Sequence, residues 1–298
     1  MIKRIVEISN PGYLKLKNKQ LIIEQEGHVS ATIAIEDIAI LILNHYAIAL
    51  TQPVVIECQK NNVAMIFCDE KHLPYSLVLP LADANTLHQK VLQLQIKAKK
   101  STKAKIWQGL VREKIQNQAY TLAMFDKPHQ RLLKLAKQVK LADNANAESI
   151  AAQIYWKSLF GKLFIRDRKQ EGINALLNYG YSLLRSMVAR SICASGLHPA
   201  LSVFHKNQYN SLALADDFIE PFRPIVDAKV FELVCQNTNE LDKNAKIELI
   251  KLTALQVKYQ KRKVALMVAM SYILADFKRM LAGEIRQVHY PKIPKTYL

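Results

Sequence analysis

Acidic residues are scarce in this 298-residue chain: 25 Asp and Glu stand against 42 Lys and Arg, a net charge of +17. A surplus that large answers a polyanion or an anionic membrane surface. Cysteine is scarce too. Cys58, Cys68, Cys193 and Cys235 lie far apart with no CxxC pair, which excludes a disulfide framework and a zinc ribbon and fits a reducing compartment. Long hydrophobic runs are missing. The greasiest stretch, Val264 to Ala275, falls short of the roughly 20 residues a bilayer span needs. The opening Met1-Ile2-Lys3-Arg4-Ile5-Val6-Glu7 lacks the apolar core of a signal peptide. A soluble, cytoplasmic protein with no membrane partner is the expectation.

What is present divides unevenly along the chain. Half the residues are apolar, enough for real cores, and the length favours two domains. Residues 1–80 hold seven Lys or Arg against eight Asp or Glu, and residues 81–298 hold 35 against 17. The excess of base therefore belongs wholly to the second part.

The hydrophobic period changes at the same place. Lys15-Leu16-Lys17, Gln20-Leu21-Ile22-Ile23-Glu24, Ser30-Ala31-Thr32-Ile33, Pro53-Val54-Val55-Ile56-Glu57 and Val63-Ala64-Met65-Ile66-Phe67 are short β-branched runs between turn signals, and they predict strands. Asn10-Pro11-Gly12, Glu26-Gly27 and Asn61-Asn62 mark turns. One helix is expected at Glu36 to Leu43, where two carboxylates precede a compact apolar run. From about Thr86 apolar residues recur three and four apart, as in Leu87, Val91, Leu94 and Ala98, with Ile96 off that face. Breaks are predicted near Lys127-Pro128, Ala142 to Asn144, Gly161, Gly196 to Pro199 and Asn237 to Asn239, and an extended tail from His289 to Pro294. The fold class is thus α+β: a small β-rich domain over 1–82, then a larger all-α domain over 83–298.

Three stretches place acids or imidazoles among these bases, where metal binding is one reason for them. In Asn144 to Ala152, Glu148 sits in the opening turn of a helix, where an acid also simply complements the helix dipole. His198 to Lys206 is a loop with two histidines, either of which suits an ordinary structural role; it follows a helix carrying Asn174, Asn178, Tyr179 and Arg185. In Asp216-Asp217-Phe218-Ile219-Glu220-Pro221-Phe222-Arg223-Pro224, both Asp216 and Asp217 are helix neighbours of Glu220, so spacing does not choose between them.

Taken in order, these stretches resemble the universal CRISPR-associated integrase family, the first of the two core adaptation proteins, in the variety that accompanies type II systems. The resemblance runs over nearly the whole chain. It implies metal ligands at Glu148, His205 and Glu220, with Asp217 as a further carboxylate beside the metal and His198 left to the loop. Many relatives have Asp where this chain has Glu220, an exchange that keeps an oxygen ligand but lengthens its reach. The implied activity is that of a metal-dependent DNA endonuclease and integrase using Mg²⁺ or Mn²⁺, which inserts spacer DNA into a CRISPR array. The 3′-hydroxyl of the spacer attacks a phosphodiester at the end of a repeat, a transesterification that needs no ATP.

The implied partners are double-stranded spacer precursor and CRISPR repeat, a second copy of the chain, and a small ferredoxin-like second adaptation protein that bridges two dimers into a heterohexamer. Other type II adaptation proteins and the effector nuclease complete the set. The apolar stretch Ile38 to Leu43 and the free strand edges of the β domain are the expected dimer surface. Phosphate contacts are expected from Lys97, Lys99, Lys100, Lys103 and Lys105, from Lys258, Lys261, Arg262 and Lys263, and from Arg223 nearest the site. Each cluster alone also suits a solvated helix face. Two rival readings remain open: a DNA-binding scaffold without catalysis, and a metal-dependent nuclease of branched DNA.

Overall fold

A computed structural model of the chain describes residues 3–70, 72–80, 85–167, 169–205 and 207–293. The N-terminal part is built from β1 (Arg4–Ile8), β2 (Gly12–Lys17), β3 (Gln20–Gln25), β4 (His28–Ala34), β5 (Ile38–Leu43), β6 (Ile48–Leu50), helix α1 (Gln52–Lys60), β7 (Ala64–Cys68) and β8 (Pro74–Val78). The strands form two four-stranded sheets, ordered β1-β5-β7-β8 and β4-β3-β2-β6.

Two expectations fail here, for related reasons. Residues Ile38 to Leu43 are a strand, not a helix, and all six are buried. This strand pairs in parallel with β1 on one side and β7 on the other. Its Leu41 and Leu43 face the second sheet, while Ile40 and Ile42 face the helices. A strand covered on both faces loses its polar alternation, and a short continuous apolar run then reads equally as helix. The same burial removes Ile38 to Leu43 as a dimer surface. Conversely, Pro53 to Glu57 is helix α1, not a strand, with only Val54 and Cys58 buried. Parallel strands need a crossover, and α1 lies within the one from β5 to β7. Pro53 sits in its first turn, where no N–H is required.

The second part holds α2 (His88–Ile96), α3 (Lys100–Met124), α4 (Gln130–Gln138), α5 (Ala147–Phe160), α6 (Ile173–Ala194), α7 (Ala213–Ile219), α8 (Arg223–Cys235), α9 (Lys243–Lys251) and α10 (Leu266–Leu281). The predicted breaks all fall outside these helices. The domain boundary expected between 82 and 83 lies outside the described residues, as does Pro294 of the tail. In α2, Val91 is buried and Ile96 exposed as the stripe requires, but Leu87 is exposed at the helix entrance. The part is not all-α. A hairpin of β9 (Gln256–Tyr259) and β10 (Arg262–Ala265) interrupts the helices, and Lys258 adds a bridge to Lys292.

Helix α3 packs against α4, α5, α7, α8 and α10. Helix α6 meets α8 at unusually short range: a Cβ placed on Gly180 would lie 2.4 Å from Val226 Cγ1. Glycine at this position lets the two backbones approach, which sets Tyr181 beside Asp227.

Candidate active site

Helix α5 begins under a cap from outside itself. The Asp143 carboxylate accepts the N–H groups of Ala147 at 2.9 Å and Glu148 at 3.0 Å. With the helix terminus satisfied by Asp143, the side chain of Glu148 is turned to Lys114 of α3, whose Nζ lies 2.6 Å from its Oε1. The same ammonium lies 2.5 Å from Glu220 Oε2. Glu220 opens the single 3₁₀ turn Glu220–Phe222 between α7 and α8, and its Oε1 lies 3.0 Å from Arg223 Nη2. Two carboxylates from distant segments thus converge on one cationic nitrogen.

Charge outweighs burial at this cluster. Burial alone would push the Glu220 carboxyl up, but Lys114 and Arg223 hold it below its usual range. Burial likewise disfavours the Lys114 ammonium, and the charges of Glu220 and Glu148 overcome it and raise its pKa. Glu220 is only 5 % exposed, so either group without its partners would be a buried, uncompensated charge.

His205 stands on the loop before α7. Its Nδ1 lies 2.6 Å from Asp217 Oδ1, and Asp217 also accepts the backbone N–H groups of Val203 at 2.6 Å, Phe204 at 3.1 Å and His205 at 3.3 Å. One fully buried carboxylate therefore shapes the loop and orients the imidazole. Trp107 of α3 stacks on Phe204 at 4.4 Å and meets the His205 ring edge-on at 5.0 Å. With Nδ1 committed, Nε2 is the nitrogen left for an outside ligand. The hydrogen bond that His205 Nδ1 donates to Asp217 raises the His205 pKa; burial opposes it, and the charges of Asp217, Glu220 and Glu148 add to the rise. The ambiguity between neighbouring aspartates is resolved by their partners. Asp216 turns the other way, held by Arg185 at 2.7 and 3.0 Å and by Asn210 at 2.7 Å. The backbone of His198 is bonded through both its N–H and its carbonyl to the Gln95 side chain.

Behind the cluster lies an assembly with weaker sequence signals. Asp227, on α8 and four residues beyond Arg223, accepts hydrogen bonds from Tyr155 at 3.0 Å and from Tyr181. Burial lifts its pKa to about 7 against the pull of both hydroxyls. The Arg223 guanidinium lies 4.8 Å from the Tyr181 ring, and Arg166 lies 5.3 Å from it while donating to Asn174 and Asn178. A cavity of about 340 Å³ opens alongside, lined among others by Arg166, Asn178, Arg185 and Arg223. The i,i+4 spacing of Arg223 and Asp227 was a usable signal. Nothing in the sequence separates Lys114 from the many other lysines.

Two converging carboxylates with an imidazole alongside suit a hard divalent cation with open positions. The Lys114 ammonium already occupies the place between the carboxylates where positive charge is required, so the donor set fits such an ion. Among the described residues, no three His, Cys, Asp or Glu side chains stand together as a metal centre in this arrangement.

Of the expected basic residues Arg223 lies at the site, and the two lysine-rich clusters lie elsewhere. Lys97, Lys99, Lys100, Lys103 and Lys105 surround the start of α3, and Lys105 is about 13 Å along the helix from Lys114. Lys258, Lys261, Arg262 and Lys263 lie on the β9–β10 hairpin, not on a helix face, and all four are exposed.

The family model described as "CRISPR associated protein Cas1" matches residues 6–265. The CRISPR-associated endonuclease Cas1 of Neisseria meningitidis serogroup C is 35% identical over 298 residues, covering 98% of this chain and 97% of that protein. Among solved structures, a casposase bound to integration product superposes with a TM-score of 0.77 at 20% identity, covering 99% of this chain and 93% of that one. A Cas6-RT-Cas1–Cas2 complex superposes with a TM-score of 0.73 at 15% identity, covering 95% of this chain and 35% of that one. This chain belongs to the Cas1 family of CRISPR-associated proteins.

Proposed function

We propose that this chain is a DNA endonuclease and integrase of CRISPR adaptation that joins the 3′-hydroxyl of a spacer to a repeat-end phosphodiester in the presence of Mg²⁺ or Mn²⁺. The observation that carries the reading is the convergence of Glu148 and Glu220 on one cationic centre, next to an imidazole fixed by Asp217. Glu148, Glu220 and His205 would hold the ion. When bound, it would supply Lewis-acid stabilisation of charge on the phosphoryl oxygens and lower the pKa of the attacking hydroxyl. Asp217 keeps Nε2 of His205 turned outward. Arg223, pinned between Glu220 and the Tyr181 ring, is the cation placed to meet a phosphate beside the carboxylates. In the reaction a new P–O bond forms to the spacer 3′-oxygen, the bond to the repeat 3′-oxygen breaks, and that oxygen leaves with a proton.

The surface charge supports a DNA substrate. Lys99 and Lys100 crowd the N-terminus of α3, whose first turn contains no acid, so helix dipole and side chains both attract an anion there. Lys258 and Lys263 face each other directly across the hairpin, a like-charge pair that costs stability unless a polyanion lies over it. The homodimer of this reading would use the open edge of β4, where Val29 is 54 % exposed. A small second adaptation protein would bridge two such dimers, as the Cas1–Cas2 assembly among the structural neighbours suggests.

The test is an integration assay with purified protein, its small partner, a labelled duplex and a supercoiled plasmid bearing a repeat, with Mn²⁺ or Mg²⁺. Label joined by the wild type and not by His205→Ala or Glu220→Ala supports the reading. DNA binding without joining under either ion leaves a scaffold, and cutting without joining leaves a nuclease.

A further inference from the structure

A second basic cavity lies where the two parts of the chain meet. It has a volume of about 430 Å³, and its walls carry Lys3 just before β1, Arg4 of β1, Arg190 of α6, Lys251 of α9, Thr253 and Ser271. Among the described residues, no Asp or Glu lines it. Arg190 lies about 13 Å along α6 from Tyr181, and none of the groups around Glu148, Glu220 and His205 lines this cavity.

Two of the cations, Arg190 and Lys3, are built in, while Arg4 and Lys251 are exposed and Lys251 pairs with Glu248 at 2.5 Å. Arg190 is only 9 % exposed, and its Nε donates to the carbonyl of Asn62 at 2.5 Å, while Lys3 Nζ donates to the neighbouring carbonyl of Asn61 at 3.0 Å. These bonds use one of five guanidinium donors and one of three ammonium donors, and both groups face the cavity. Burying a guanidinium beside an ammonium with no carboxylate on the walls is costly without an anion. Burial and then the charge of Arg190 lower the Lys3 pKa, while Glu36 and Asp37 offset this only in part. The rest of the wall is apolar, with Ile250 and Met267 among its side chains.

We propose that this cavity binds a phosphate ester with an apolar body, of the mononucleotide class, presented free or as the terminal nucleotide of a DNA strand. Its volume suits such a ligand, the cations take the phosphate and the apolar wall takes the base. The test is calorimetric titration of the full chain with AMP, with inorganic phosphate and with a 5′-phosphorylated oligonucleotide, in EDTA so that no divalent ion tethers nucleotide to Glu148 and Glu220. Saturable AMP binding is expected, weakened at least about tenfold by Lys3→Gln and by Arg190→Gln, with thermal melts confirming that both variants fold. Should Arg190→Gln fail to fold, Lys3→Gln and Lys251→Gln carry the comparison. An oligonucleotide that displaces AMP assigns the site to a strand end, and one that does not assigns it to a free nucleotide. Absence of AMP binding at millimolar concentration, or binding that the variants leave unchanged, overturns the proposal.

Discussion

Replacing Asp217 with Asn tests whether one buried carboxylate governs the His205 imidazole. Asp217 accepts four donors, three from the backbone of residues 203–205 and one from the ring, at 2.6 to 3.3 Å. An amide has one acceptor oxygen. Its best placement keeps that oxygen on the N–H groups of Val203 and Phe204, which turns the NH₂ group toward His205 Nδ1. Nδ1 must then accept, so the ring proton moves to Nε2 and the lone pair needed by a metal is lost. The charge-assisted bond to the ring is worth roughly 1.5–3 kcal/mol, and metal affinity should fall about 10- to 100-fold. Loss of the hydrogen bond also brings the raised His205 pKa down. The sign follows from linkage. In the wild type the stabilisation is full below the unfolded value of about 6.5 and is lost as pH rises through the higher folded value, so the gap between wild type and Asp217→Asn narrows with rising pH. Imidazole NMR titration, Mn²⁺ titration and urea unfolding at several pH values measure all three. If Asp217→Asn keeps the wild-type His205 pKa and Mn²⁺ affinity, Asp217 does not orient the ring and the reasoning is wrong.

Three further outcomes follow from the same geometry. Lys114→Met leaves Glu220 with Arg223 as its remaining close cation, so stability in EDTA should drop by about 3 kcal/mol, and Mn²⁺ should stabilise this variant more than the wild type in urea unfolding; equal responses to Mn²⁺ would contradict the shared cation position. Asp227 has a folded pKa of about 7, raised by burial, so its proton stabilises the fold below about pH 4 and that contribution is lost as pH climbs to about 7; the stability advantage of wild type over Asp227→Asn should shrink over that range, and a flat difference would refute it. Replacing Lys258 and Lys263 together with Ser should raise stability by a few tenths of a kcal/mol while weakening DNA binding and reducing its salt slope by about two, read by thermal melts and by affinity at graded salt; unchanged DNA affinity would remove the hairpin from the interface.

The amino-acid order alone determined the change from strands to helices near Thr86, the strands β2, β3, β4 and β7, the helix breaks and the confinement of excess base to the second part. Each of these is written in local periodicity, turn residues or charge counts, which need no knowledge of neighbours in space. The stretches carrying Glu148, His205 and Glu220 stood out as acids and imidazoles among bases, but their reading as metal ligands came from the family resemblance and not from local pattern. Tertiary structure decided the rest. Ile38 to Leu43 became a strand because sheet and helices cover both its faces, and Pro53 to Glu57 became a helix within the crossover between parallel strands. Asp217 and not Asp216 met His205 because Arg185 drew Asp216 to the opposite side, a choice that equal helical spacing could not make. Lys114 joined Glu148 to Glu220 across 34 and 106 residues of chain, and Gly180 let α6 and α8 close to bring Tyr181 onto Asp227. Such contacts depend on which faces of separate helices meet, and that is settled by packing across the fold and not by any pattern within one segment.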